Sequence, residues 1–279
     1  NNPHKEIVMK KFFKKCLCLM ISAICLAACF GLTACEDIKT LEVKVSANGE
    51  EYTMTVELYR HLAPETCKKI EEYAQAGYYD GALVYKNTSY GKQLMVGDLK
   101  LDGDKIVQSE IKPELYGEFE KNGTKGSNLV SEKGTIGLWR SWTAADASGS
   151  KYKASNGMDS GRAAWYIPTE AISDYNGYFC VFAVYDKNAT ANAEAIDALG
   201  KVFDSSDNYV EYVIYYTGSY DAAKANENYG LTFHCVTKTE FNDVDEDTVF
   251  EAKNEQLASF NKQTVRISTG TKIVSVKVK

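Results

Sequence analysis

The chain predicts a mainly β protein, an antiparallel barrel or sandwich with two helices, and three observations point there. Residues 52–59 set Met54, Val56 and Leu58 against Thr53, Thr55 and Glu57, the period-two pattern of a half-buried strand. Residues 272–279 repeat it with Val274, Val276 and Val278. Between them lie many short apolar runs but only two helical stretches, which disfavours a parallel sheet with its regular crossover helices. In order, the first helix opens at Ala63-Pro64-Glu65, where proline suits a first-turn position. It places Cys67, Ile70 and Tyr73 or Ala74 on one face and ends at Gly77. Strand signals follow at residues 82–85, 93–96, 135–138, 163–167 and 178–185. The second helix, residues 191–199, turns Ile196 and Leu199 inward, and residues 272–279 form a closing strand.

The composition is that of a globular protein: 279 residues, 44% apolar and 25% charged, enough to bury a sizeable core. The first 34 residues hold five lysines and one glutamate, leaving 27 basic against 37 acidic residues in the remainder. So acidic a body excludes nucleic acid as a partner, since phosphate binding requires a basic face.

Lys10, Lys11, Lys14 and Lys15 precede nineteen uncharged residues, 16–34, the layout of an export signal. The layout begins at Met9, so residues 1–8 read as an upstream artefact and residues 9–34 as the signal. The run closes on Leu32-Thr33-Ala34-Cys35, which resembles the lipobox of bacterial lipoproteins. The resemblance implies lipidation of Cys35, and hence residues 35–279 held at the extracytoplasmic face of the cell membrane. The alternative is an uncleaved anchor, because nineteen apolar residues suffice to cross ~30 Å of hydrocarbon. After Cys35 three cysteines remain, Cys67, Cys180 and Cys235, without CxxC spacing and with only His61 and His234 beyond residue 35. No metal site or cofactor is expected; the thiols read as buried small side chains, with one disulfide as the alternative.

The order of segments resembles the cyclophilin family of peptidyl-prolyl isomerases from about residue 41 to 203. Val-Glu-Leu-Tyr-Arg-His-Leu-Ala-Pro-Glu-Thr, residues 56–66, is similar to the family's strand, turn and helix with its Ala-Pro-x-Thr signature. Gly97-Asp98 is similar to the end of Gln-Gly-Gly-Asp, and residues 134–140 to a Gly-x-x-Ser-Met-Ala strand. Residues 163–167 stand at the Ser-Gln-Phe-Phe-Ile place, and residues 175–184 at the Leu-Asp-Gly…Val-Phe-Gly-x-Val place. The resemblance implies an eight-stranded closed barrel with two capping helices, one domain over residues 35–279, with an insertion near residues 204–230.

It also implies a site. The family's catalytic arginine, which donates to the prolyl nitrogen and weakens the partial double bond, falls on Lys86, a point charge without the planar fork. Its glutamine falls on Met95, and Gln93, two positions earlier on the same strand face, is the candidate replacement. Met95, Leu138, Trp139, Ala164, Trp165 and Tyr166 are the expected binding positions. Trp139 replaces a small alanine, so a large ring either narrows the peptide channel or is a rim or core aromatic. Arg140 and Arg162 are the nearby arginines that either reach the site or, for Arg162, sit solvated in a loop. The family's aromatic or histidine near the Leu-Asp-Gly block is not reproduced, since Asp174 and Phe179 fall there.

Residues 204–230, rich in tyrosine, read as a strand plus loop that is either a partner surface or rings packed on a sheet, and residues 242–248 as a solvated acidic turn. Two functions follow from the resemblance. One is an isomerase of weakened activity on X-Pro bonds in proline-containing segments of exported proteins. The other is a catalytically inactive binding module on the same barrel.

Overall fold

The computed structural model describes residues 38–124, 129–140, 158–252 and 260–279, so Cys35 and the expected signal lie outside the described residues. Residues Lys39–Lys279 form one compact unit. Its strands are β1 (Thr40–Ala47), β2 (Glu50–Leu58), β3 (Ala82–Asn87), β4 (Gln93–Asp102), β5 (Lys105–Gln108), β6 (Thr135–Leu138), β7 (Trp165–Pro168), β8 (Val181–Val184), β9 (Val210–Thr217), β10 (Thr232–Thr237) and β11 (Gln263–Val278). The helices are α1 (Pro64–Gln75), α2 (Thr190–Val202) and a single turn, α3 (Lys238–Phe241).

Hydrogen-bonded neighbours run β1-β2-β8-β6-β7-β4-β3-β11, and β11 returns to β1, closing an eight-stranded antiparallel barrel. The protein is therefore mainly β and cyclophilin-like in architecture. β11 does two jobs because a bulge between Ile267 and Lys272 splits it. Its second half pairs with β1, Leu41 opposite Val278. Its first half lies between β3 and β9, so the β9–β10 hairpin continues the sheet outside the barrel.

Strand alternation sorts side chains into two cores. Inside the barrel and under the helices lie Val43, Met54, Val56, Val84, Leu94, Ile136, Phe182 and Ile273, with Cys67 and Ile70 of α1 and Ile196 and Leu199 of α2. Outside, Leu83, Tyr85, Met95 and Tyr166 pack with Val265 and Ile267 of β11 and Ile214 and Tyr216 of β9. α1 starts at Pro64 as expected, yet Ala63 at its N-cap offers no side-chain acceptor. The buried carboxylate of Glu118 supplies it, accepting the Glu65 N–H at 3.0 Å and the Thr66 N–H at 2.7 Å. α2 is tied to β2 by Asn192, whose Oδ1 accepts the Thr55 N–H at 2.9 Å.

β1 is not among the expected strands, although Leu41, Val43 and Val45 alternate inward. In the 204–230 stretch Tyr215 and Tyr216 are packed on the sheet, against His234 and Phe241 and against Phe233 and Phe260. Cys67 and Cys180 are buried and Cys235 half-buried, all three as free thiols. Burial pushes Cys180 and Cys235 up to about 12, which leaves them poor nucleophiles at neutral pH.

Candidate functional site

β4 places Gln93 and Met95 on the outer face, as their two-residue spacing requires, and Met95 sits between Tyr85 of β3 and Tyr166 of β7. Neither is open to solvent: Gln93 is 0% exposed and Met95 2%. The Gln93 amide donates to the Met95 sulfur at 3.1 Å, and its Oε1 is buried without a protein partner. Tyr166 is 0% exposed, its hydroxyl 2.6 Å from Ser131 Oγ. Above it Tyr175 and Phe179 stack at 4.2 Å between ring centres, and each meets Tyr166 edge-on at 5.3 and 5.5 Å. Trp139 fills the remaining side, 5.7 Å from Phe179 and 5.0 Å from Tyr90. The space over Met95 and Tyr166 is thus occupied by the chain's own rings.

Three expected residues face elsewhere. Leu138 and Trp165 point into the barrel, since Trp139 and Tyr166 beside them point out. The Trp165 indole donates to the Tyr79 oxygen at 3.0 Å, and the Tyr79 hydroxyl donates to the Ala163 carbonyl at 3.0 Å, so Trp165 is a core ring and not a wall of the groove. Lys86 shares the parity of Val84, not of Tyr85, and stands opposite Arg266 of β11. It lines a depression with Leu94, Lys133, Thr169 and residues of α2, on the other face of the sheet from Met95 and Tyr166.

Arg162 is not a solvated loop charge. Its guanidinium donates to the Lys112 carbonyl at 2.8 Å and pairs with Glu114 at 3.0 Å. Arg140 is buried, donates to the Tyr178 carbonyl at 2.7 Å and lies over the rings of Phe119 and Phe179.

Next to the filled space a cavity of about 120 Å³ remains, lined on one side by Trp139 and Ala164 and on the other by β9, β10, Phe260 and Gln263. Gly97, at φ +103°, brings Asp98 to it; a Cβ at 97 would press on the Ala163 carbonyl at 3.2 Å. The Tyr85 hydroxyl donates to Asp98 Oδ2 at 2.8 Å. Asp98 Oδ1 and Asn228 Oδ1 are shielded from solvent with no protein hydrogen bond, and the shielded Ser109 hydroxyl has only the Tyr78 hydroxyl as a neighbour to bond. Burial pushes the Asp98 carboxyl up to about 6, against the opposing pull of the Tyr85 hydrogen bond. Among the described residues no cluster of His, Cys, Asp or Glu is placed to hold a metal ion.

Residues 41–213 match the family of cyclophilin type peptidyl-prolyl cis-trans isomerases. The chain belongs to that family. Two solved structures of a cyclophilin type peptidyl-prolyl cis-trans isomerase from Cryptosporidium parvum, one in the presence of the dipeptide Ala-Pro, are 16% and 15% identical to it. They align over 60% and 61% of this chain and 89% of theirs, each with a TM-score of 0.37. No curated protein matches. The family match ends within β9, so most of the cavity's far wall lies beyond it.

Tyr85, Asp98 and Ser109 are cavity residues that sequence reasoning passes over. Gly97-Asp98 was visible as a motif, but nothing local says that a strand near residue 265 folds over it. The raised Asp98 carboxyl gives a test. Between pH about 4 and 6 the folded protein holds a proton that the unfolded chain releases, so this stabilising term is present at low pH and is lost as pH rises through 6. Asp98→Asn, which still accepts from Tyr85, is expected to be about 2 kcal/mol more stable than wild type at pH 7, with the difference fading towards pH 4. Urea unfolding across that range checks it.

Proposed function

We propose that this cyclophilin-type domain binds extended segments of exported proteins without isomerising them, held at the outer face of the cell membrane through a lipidated Cys35. The observation that carries the reading is the space over Met95 and Tyr166, where the family resemblance expects a prolyl ring and where Trp139, Tyr175 and Phe179 stand instead. The barrier about the amide bond is ~18–20 kcal/mol, and in the family the resemblance points to, a cationic donor at the prolyl nitrogen lowers it. Lys86, expected in that role, faces α2 from the other side of the sheet. Binding then falls to the cavity that Trp139 and Ala164 help to line.

Proline exchange measured by NMR on an Ala-Pro-Phe peptide tests this. The uncatalysed exchange takes tens to hundreds of seconds. The protein is expected to leave it unchanged, and Lys86→Ala to behave as wild type. A tenfold acceleration that is lost in Gln93→Ala overturns the reading and restores the weakened isomerase, which family membership and the shared face of Gln93 and Met95 favour.

A further inference from the structure

The cavity beside Trp139 has an unusual balance of groups. Its walls are the rings of Tyr85, Tyr216, Phe233 and Phe260, and the acceptors left available in it are oxygens: Asp98 Oδ1 and Asn228 Oδ1, with the lone pairs of Ser109 Oγ, whose proton goes to Tyr78. Two of these can only accept, and the hydroxyl can accept as well. Ser109 is 6% exposed, so bulk water does not solvate it. Leaving buried acceptors unmet costs on the order of 1–3 kcal/mol each, so a group with several N–H donors belongs among them. Aromatic faces beside a carboxylate attract a cation in addition.

Of the three positive side chains that line the cavity, two are neutralised by carboxylates. Lys112 is paired with Glu110 at 2.7 Å, Arg162 with Glu114, and Arg140 is stacked on Phe119 and Phe179. Asn228 is held in place deliberately. It and Tyr229 both adopt φ +57°, a conformation costly for a tyrosine. The pair is pinned by the Asn228 amide donating to Gln108 at 2.5 Å and the Tyr229 hydroxyl donating to Glu114 at 3.2 Å.

We propose that this cavity receives a primary alkylammonium group, its three N–H donors meeting Asp98, Ser109 and Asn228 and its alkyl stem lying against the aromatic walls. This deepens the binding reading above by giving the chemistry of what is held. A volume of about 120 Å³ suits a chain of a few carbons, the size of a lysine side-chain end or a small free amine.

The test is an NMR titration of the protein with n-butylammonium chloride beside sodium butyrate. Saturable shifts at the Trp139 indole and the Ser109 amide are expected with the amine and not with the acid. Asp98→Asn should weaken binding at least tenfold. Ser109→Ala, which leaves the carboxylate in place, should weaken it about threefold. No saturable shift, an equal response to butyrate, or unchanged affinity in both variants overturns the proposal. A capped Ala-Lys-Ala peptide, with its norleucine counterpart as control, separates the sources. Binding of the lysine peptide at least as tight as the amine's supports a protein segment as ligand, and binding of the free amine alone supports a small molecule. Accelerated proline exchange would overturn the binding-module reading and leave this site standing, whereas failure of the amine titration would remove this site alone.

Discussion

Gly137→Ala is expected to lower the unfolding free energy by about 3 kcal/mol, at the upper end of overpacking costs. Gly137 of β6 lies opposite Tyr166 of β7, and a Cβ there would stand 2.2 Å from two ring carbons of Tyr166 and 2.3 Å from its hydroxyl oxygen. The ring has nowhere to go. Ser131 holds its hydroxyl, Tyr175 and Phe179 press on it edge-on, and Met95 lies across the strand pair. The family pattern carries serine at this place, so glycine here answers the filled outer face. A double-mutant cycle separates this cause from loss of strand propensity. Tyr166→Ala alone should cost about 3–5 kcal/mol, and adding Gly137→Ala to it should cost far less than in wild type. Additivity in urea unfolding would mean that the ring does not cover Gly137.

Glu118→Ala should cost a similar amount, about 3 kcal/mol, seen as a melting temperature lower by roughly 6–12 °C. Its two oxygens accept the first free N–H groups of α1, and a charged acceptor of buried donors is worth about 1.5–3 kcal/mol per bond before the orphaned groups are counted. It also lays negative charge at the positive end of the helix. Glu118→Gln keeps one acceptor and should recover about half of the loss, while Glu65→Ala, an exposed residue of the same turn, should stay within about 0.5 kcal/mol of wild type.

These two sites show where a sequence is readable and where it is not. The strands with one buried face, β2 and the end of β11, declare themselves by alternation, and both main helices by their stripes and by Pro64 and Gly77. β10 does not, because five of its six residues are half-buried and the sixth exposed, so no period of two develops. The cap of α1 is invisible for another reason, since its acceptor comes from more than fifty residues further on. Met95, Gln93 and Tyr166 were placed together on one face by spacing and family likeness, and they do meet. Lys86 is matched through the same likeness, but one position of parity decides the face of a strand, and the register of β3 shifts between Ala82 and Val84 just ahead of it. Whether the groove over them is open depends on where Trp139, Tyr175 and Phe179 fold back, and how the cavity beside it is walled depends on the long-range pairing of β9 with the first half of β11.

The double pairing of β11 also fixes an order of events during synthesis. β1 is among the first structured segments to be made, yet its inner-edge partner, residues 272–278, is among the last of the described chain. Until that segment emerges, β1 and β3 both present unpaired backbone edges, and Tyr85 lacks its neighbours Val265 and Ile267 because the first half of β11 is missing too. Closure and covering therefore arrive together, as a late, long-range step of the kind that folds slowly and exposes sticky edges meanwhile. A nascent chain stalled before residue 263 should remain a ready client for chaperones, and release of the last strand should convert it in one concerted transition.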